Sequence, residues 1–172
     1  MQEIYEEKNR EKMQELIRIV ANMEKDTFSD PWTEKILQDC VKYPYNFIVV
    51  LYEDGTLTRL DVEKTDEISD VNLDEKGENN PIGYSIYRTI ADETELCRIA
   101  IAKDKRGKGL SRLLMNEMME HAGEKIFLEV RSKNTPARNL YQSYGFLETG
   151  IRKKYYEAPE DDAVLMAWER SL

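Results

Sequence analysis

The residues from Lys103 to Arg112 carry five cations (Lys103, Lys105, Arg106, Lys108 and Arg112) against one anion, Asp104, and two glycines sit among them. An apolar run, Glu95 to Ala102, precedes this stretch, and a helical pattern of Leu110, Leu113, Leu114 and Met118 follows it. A strand that feeds a basic glycine loop and then a helix is an anion site. The first N–H groups of a helix lack intrahelical acceptors and its dipole is positive at that end. Gly107 and Gly109 let backbone approach an oxygen without an intervening Cβ. The same residues also suit a basic loop that merely turns the chain. Two nucleotide motifs do not fit. A P-loop needs Lys and Ser or Thr after its last glycine, where Leu110 stands, and the dinucleotide fingerprint needs a third glycine where Arg112 stands.

Glu129 is the second candidate, a carboxylate inside Ile126-Phe127-Leu128-Glu129-Val130. A charge among apolar neighbours is expensive to bury unless it is paired or put to use. A dedicated zinc site lacks ligands: Cys40 and Cys97 make no Cys-x-x-Cys pair, and His121 is the single histidine. Cys97 reads as a small buried hydrophobe and His121 as a favourable cation at a helix end.

The elements that must hold these groups follow from periodicity. Asn9 can cap a helix carrying Met13, Leu16, Ile17, Val20 and Met23 to about Lys25, with a short strand at Gln2 to Glu6 before it. A second helix is expected from Pro31 through Trp32 to Val41, with Ile36 and Leu37 inward. Asn46 to Glu53 reads as a strand entering a hairpin turn at Asp54-Gly55. Strands are expected at Ile82 to Ile90 and Glu95 to Ala102, joined by a turn at Ala91 to Glu93. A helix from Gly109 to Ala122 is stopped by Gly123. Then come a strand at Lys125 to Arg131 and a helix capped by Asn134, with Pro136 in its first turn and Gly145 at its end. Strands at Phe146 to Glu157 and Ala163 to Glu169 complete a mixed α/β order, antiparallel first and strand-helix-strand later.

The 172 residues suit one domain. The net charge of −9 opposes general nucleic-acid binding, where phosphate neutralisation dominates affinity, and suits a cationic partner. Residues 61 to 80 carry −6 of that charge, in an acidic insertion spanning about 56–80 that reads as an extended hairpin, a mobile insertion or a solvated loop with no function. The acidic residues among the first twenty exclude a secretory signal, and the longest apolar run, Phe47 to Tyr52, is too short for a membrane span. A cytoplasmic protein with reduced cysteines is expected.

Arg106-Gly107-Lys108-Gly109-Leu110-Ser111, together with Asn134-x-x-Ala137-x-x-Leu140-Tyr141-x-x-x-Gly145-Phe146, resembles the two signature segments of the Gcn5-related N-acetyltransferases. Phe28-Ser29-Asp30-Pro31-Trp32, Phe127 to Arg131 and Ile151-Arg152-Lys153-Lys154-Tyr155-Tyr156 narrow the resemblance to RimI-type ribosomal-protein-alanine N-acetyltransferases. Arg106 and Gly109 match the family's phosphate-loop pattern; Ser111 departs from a position that takes Gly or Ala, and a small Ser still packs there.

The resemblance implies a mostly antiparallel twisted sheet flanked by helices, and acetyl-CoA as donor in direct transfer without an acyl-enzyme. By the same resemblance, backbone at Ile99, Ala100 and Ile101 would hold the acetyl and pantetheine groups. Arg106, Gly107, Lys108, Gly109, Leu110 and Ser111 would hold the phosphates, and Asn134 and Tyr141 would lie along the cofactor. Glu129 would be the general base, acting through water, and Tyr141 the general acid. Left to residue type alone, Glu129 could equally pair with a cation on the sheet and Tyr141 be a packed aromatic. Phe28, Pro31 and Trp32, with Tyr155 and Tyr156, would wall a peptide groove, and Glu24 would attract a basic protein N-terminus; core packing suits each aromatic as well.

The implied acceptor is the α-amine of an Ala-starting basic ribosomal protein, with lysine or a small-molecule amine as the alternative. An α-amine of pKa about 7.7 to 8.0 is roughly ten per cent neutral at pH 7, whereas lysine near about 10.4 is neutral in under one part in a thousand. A terminal amine therefore needs less help from a base.

Overall fold

A computed structural model describes residues 2–60 and 80–170, with side chains from Arg10 onward. Most of the acidic insertion, residues 61–79, lies outside the described residues.

The first helix, α1, spans Gln2–Thr27 without a break. The expected strand at Gln2 to Glu6 and cap at Asn9 are both replaced by helix. The reason is local: Glu, Lys, Gln and Arg dominate this stretch, and these straight-chain residues favour helix. Leu16, Ile17, Val20 and Ala21 form its buried stripe, with Glu24 one turn further on. The second helix, α2 (Glu34–Cys40), starts three residues beyond Pro31 because Thr33 is its cap, accepting from the Ile36 N–H at 3.4 Å. Leu37 is buried, but Ile36 is exposed, contrary to expectation. Two turns of helix present only a narrow inward face.

The seven strands are β1 (Asn46–Tyr52), β2 (Leu57–Leu60), β3 (Pro81–Ile90), β4 (Glu93–Ile101), β5 (Lys125–Arg131), β6 (Leu147–Glu157) and β7 (Glu160–Glu169). They form one sheet in the order β2-β1-β3-β4-β5-β7-β6. The β4–β5 pair is parallel; β1–β2, β5–β7 and β6–β7 are antiparallel. Helix α3 (Ser111–His121) makes the crossover between the parallel strands, and α4 (Thr135–Ser143) links β5 to β6. This is the expected mixed α/β fold, a sheet flanked by helices. Among the described residues no helix is long and apolar enough to cross a membrane.

Residues Met1–Ile86 with Arg98–Glu117 make one compact unit, and Tyr87–Cys97 with Met118–Leu172 a second. In the first, the β1–β2 hairpin turns at Gly55 (φ 89°), where the Asp54 carboxylate accepts from the Thr56 N–H and hydroxyl. Leu114 and Met115 are the buried residues that α3 gives this unit, while Leu113, expected inward, is exposed. In the second unit, Gly123 has a different reason from the one expected. It is needed because a Cβ there would lie 2.3 Å from the Asp92 carbonyl oxygen, and its N–H donates to Thr94 Oγ1 at 3.0 Å. Close approach, and not a left-handed stop, demands glycine. Asn134 and Gly145 act as expected at the ends of α4: Asn134 Oδ1 accepts from the Ala137 N–H at 3.2 Å, and Gly145 has φ 89°.

Candidate active site

In the first unit, β4 leads into a 3-10 turn at Lys103–Lys105, then the glycine loop, then α3. Gly107 and Gly109 have φ 77° and 76°, and among the described residues an added Cβ at either would meet nothing within 4 Å beyond its chain neighbours. Backbone conformation, with no crowding by protein, requires glycine here. Open space beside left-handed backbone at a helix N-terminus is the cradle a phosphate needs. Lys105 binds the Glu53 carboxylate, and Arg106 Nε donates to the Ile101 carbonyl at 2.8 Å. Arg106 thus braces the loop against the end of β4. Lys108, Gly109 and the rest of the turn to Leu110 and Ser111 complete it, with the Arg112 N–H donating to Gly109 O at 3.0 Å.

The parallel ladder between β4 and β5 covers Glu93–Leu96 against Lys125–Leu128. The backbone of Ile99, Ala100 and Ile101 lies beyond that ladder, on the stretch of β4 that Arg106 braces through the Ile101 carbonyl. Ile99 is half-buried, Ala100 and Ile101 are buried. Gly83 of β3 makes their position attainable, since a Cβ there would lie 2.5 Å from Ile101 Cδ1 and 3.0 Å from Ala100 O.

At the end of α1, Glu24 is fully buried. Its Oε1 accepts from the Tyr84 hydroxyl at 2.5 Å and its Oε2 from the Trp32 N–H at 2.9 Å. Burial raises the Glu24 pKa above the usual carboxylate range, opposed by the Tyr84 and Trp32 hydrogen bonds and by Arg98. Burial and Glu24 together also push up the Tyr84 hydroxyl. Arg98 Nε lies 3.6 Å from Glu24 Oε2, and its guanidinium lies 4.7 Å from the Phe28 ring centre and 5.3 Å from that of Trp32. Phe28, Pro31 and Trp32 are all half-buried. The charge of Glu24 is used inside the unit, holding this segment.

In the second unit, Ile126, Leu128 and Val130 point to the buried face of β5, and Glu129 to the other, beside the exposed Phe127. Strand alternation therefore keeps the carboxylate out of the apolar core that its sequence neighbours suggested. Arg152 Nη1 lies 2.6 Å from Glu129 Oε1. The Tyr155 hydroxyl also bonds to Glu129, and that carboxylate raises the tyrosine's pKa. Glu129 is thus held by a cation and a phenol. A carboxylate has about four lone-pair positions, which leaves room for a water as well.

Tyr141 is buried on α4 and its ring packs 5.9 Å from that of Phe146, tilted by 54°. Burial pushes its pKa upward, with a smaller contribution from Tyr156. Tyr155 and Tyr156 meet edge to face, with ring centres 5.1 Å apart. Neighbours in a regular strand point to opposite faces. Here β6 shifts register between Arg152 and Tyr156, and Lys154 takes φ 51°. Asp162 holds this bulge, accepting from the Lys154 N–H at 2.9 Å and Lys153 Nζ at 2.7 Å. Arg131 lies 4.1 Å over the Tyr156 ring. Asn134 is exposed, and its side-chain oxygen caps α4.

Sequence reasoning missed Arg98, Tyr84 and Arg152. Arg98 was visible as a cation amid the apolar residues of β4, the same signal that singled out Glu129. Tyr84 carried no signal, because a tyrosine in a strand is ordinary.

The chain is similar to known acetyltransferases. The "Acetyltransferase (GNAT) family" matches residues 10–146. A relative from Bacillus subtilis (strain 168) is 29% identical over 152 residues, 86% of this chain and 85% of its own length. The [ribosomal protein bS18]-alanine N-acetyltransferase of Salmonella typhimurium (strain LT2) is 32% identical over 108 residues, 59% of this chain and 73% of its own. The crystal structure of the ribosomal-protein-S18-alanine N-acetyltransferase from Escherichia coli superposes with a TM-score of 0.66 at 25% identity, covering 91% of this chain and 88% of that one.

Proposed function

Because the chain belongs to the acetyltransferase (GNAT) family, an acetyl-CoA-dependent N-acetyltransferase, we propose that it acetylates the N-terminal α-amine of an Ala-starting, basic ribosomal protein. The observation that carries the donor side is the pair of left-handed glycines, Gly107 and Gly109, open on their Cβ sides and followed at once by α3. The acceptor side rests on the similarity to bS18-alanine N-acetyltransferases.

The thioester supplies an activated acyl carbon; the chain supplies position, a base and a hydrogen-bond donor. Backbone of Ile99 to Ile101 holds the acetyl and pantetheine end by strand-like pairing, and Arg106 to Ser111 hold the phosphates. Asn134 lies along the donor. Phe28, Pro31, Trp32, Tyr155 and Tyr156 contact the acceptor peptide, with Glu24 organising the first three from within. Glu129 receives the amine proton through a water as the amine attacks. Arg152 and Tyr155 orient that carboxylate, so only part of its accepting capacity is turned to the water.

Tyr141 serves the departing thiolate. Even an ordinary tyrosine near about 10 is a weaker acid than a thiol near about 8.5, making full proton transfer uphill by roughly 2 kcal/mol. Burial raises the Tyr141 pKa further. Its contribution is therefore a hydrogen bond that strengthens as charge develops on sulfur, in a desolvated setting where such a bond counts most.

The test is intact-mass analysis after incubation with acetyl-CoA and a basic peptide beginning with Ala, beside the same peptide with a blocked α-amine and a panel of small amines. A single 42-dalton gain confined to the open α-amine (about one acetyl group) is expected. Gain on the blocked peptide would move the acceptor to lysine, and gain only on the small amines would remove the protein substrate.

A further inference from the structure

We infer that Arg98 is a positioning residue that clamps the segment Phe28–Trp32 to β4 and thereby sets how the acceptor peptide is presented. The inference rests on the reading that Phe28, Pro31 and Trp32 contact that peptide. Three kinds of contact converge on this side chain, which is only 15% exposed. Its Nη2 donates to both the backbone oxygen and Oδ2 of Asp30, each at 3.1 Å. Its guanidinium lies over Phe28 on one contact and Trp32 on another. Its Nε faces the buried Glu24, which itself holds the Trp32 N–H.

Each contact alone would be a weak anchor. Together they place one cation between Glu24 of α1 and the acid and two rings of a single five-residue segment, Phe28–Trp32. The next residue along β4 is Ile99, the start of the stretch proposed to hold the acetyl group. Arg98 therefore ties the acceptor wall to the donor strand by one covalent step. The nearby Tyr84–Glu24 bond makes the clamp rigid from the other side: Tyr84 belongs to β3, so Glu24 is held from the sheet as well as from α1.

Chemistry requires arginine here. A planar guanidinium stacks on rings and forks to two acceptors, whereas a lysine ammonium offers charge without the plane. Arg98→Lys should therefore keep the buried charge balance and the fold while loosening the turn. A looser wall weakens peptide binding in the ground state and the transition state alike, which raises KM and leaves kcat unchanged.

The experiment measures steady-state kinetics of the full chain, wild type against Arg98→Lys, Arg98→Met and Asp30→Asn, with the Ala-starting basic peptide and acetyl-CoA varied in turn. The expected result is a peptide KM raised about tenfold in both Arg98 variants and less in Asp30→Asn, with kcat and the acetyl-CoA KM within about twofold. In a Trp168→Phe background, Trp32 is the remaining tryptophan. Its acrylamide quenching should increase in the same order. Unchanged peptide KM in folded variants overturns the inference, as does a parallel change of kcat and both KM values, which marks general distortion. Should Arg98→Met not fold, Arg98→Lys and Asp30→Asn decide. Failure of the wild type to acetylate any N-terminus would defeat the proposed acceptor; Trp32 quenching would then decide whether Arg98 clamps the turn, and unchanged quenching would overturn the inference.

Discussion

Arg152 reaches over the intervening strand β7 to place its guanidinium 2.6 Å from Glu129. On β7, Glu129 is registered with Leu165 and Arg152 with Ala163, two residues along, so both side chains emerge on one face. The proposed base thus has a built-in cation that is 55% exposed, and a pair that open to solvent contributes little to stability, about 0 to 1 kcal/mol.

Glu129→Gln is expected to lower kcat by about 100-fold or more while leaving acetyl-CoA affinity within a factor of about two. Arg152→Met should lower kcat by less, about tenfold, with a change in unfolding free energy below about 1 kcal/mol. Stopped-flow turnover and urea titration measure the two. Full activity in Glu129→Gln would take the base role from this residue.

For Tyr141→Phe, kcat should fall by about 10- to 100-fold with acetyl-CoA binding nearly intact. Because burial raises its pKa, Tyr141 keeps its proton throughout the range in which the α-amine titrates. The wild-type kcat/KM should then rise from pH 6.5 to 9 as the amine loses its proton near about 8, with no alkaline fall caused by Tyr141. A descending limb below pH 9 that disappears in Tyr141→Phe would contradict this.

Glu24 gives a pH signature in stability. Its folded-state pKa lies above its unfolded value, so the folded state binds the proton more tightly. The group's contribution is full below the unfolded pKa of about 4.3 and is lost as pH rises through the raised value. Glu24→Gln cannot titrate and escapes that loss. The substitution should destabilise at all pH values, yet by less at pH 8 than at pH 4.5. Urea unfolding at several pH values reads the difference, and a cost that grows with pH would reverse the sign.

Gly107→Ala and Gly109→Ala each force a Cβ into left-handed backbone, a strain of about 1 kcal/mol. Calorimetric titration should show weaker acetyl-CoA binding in both, with melting temperature lowered by a few degrees. Since among the described residues no atom beyond the chain neighbours lies within 4 Å of either added Cβ, the loss in binding should exceed the loss in stability. Equal losses would mean the loop serves the fold alone.

The parts of this protein legible from residue order were those governed by contacts a few residues apart. Gly107 and Gly109 mark the basic loop, to which the structure adds their left-handed backbone, and Asn134 announces α4 because its cap partner, Ala137, is three residues away. Strand β5 has the bounds expected of it, Lys125 to Arg131. Where local preference competed with a longer helix, as at Asn9, the reading erred.

What folding alone decided are the partners of charges. Glu24 meets Tyr84 across 60 positions and Arg98 across 74, and Glu129 meets Arg152 across 23. Electrostatic pairing depends on distance in space and on the water excluded around it, and neither is encoded in the spacing of residues along a chain. The same carboxylate type could therefore be recognised as a candidate in both places, while only the packed sheet and helix showed one held in the interior as an organiser and the other turned to an open face.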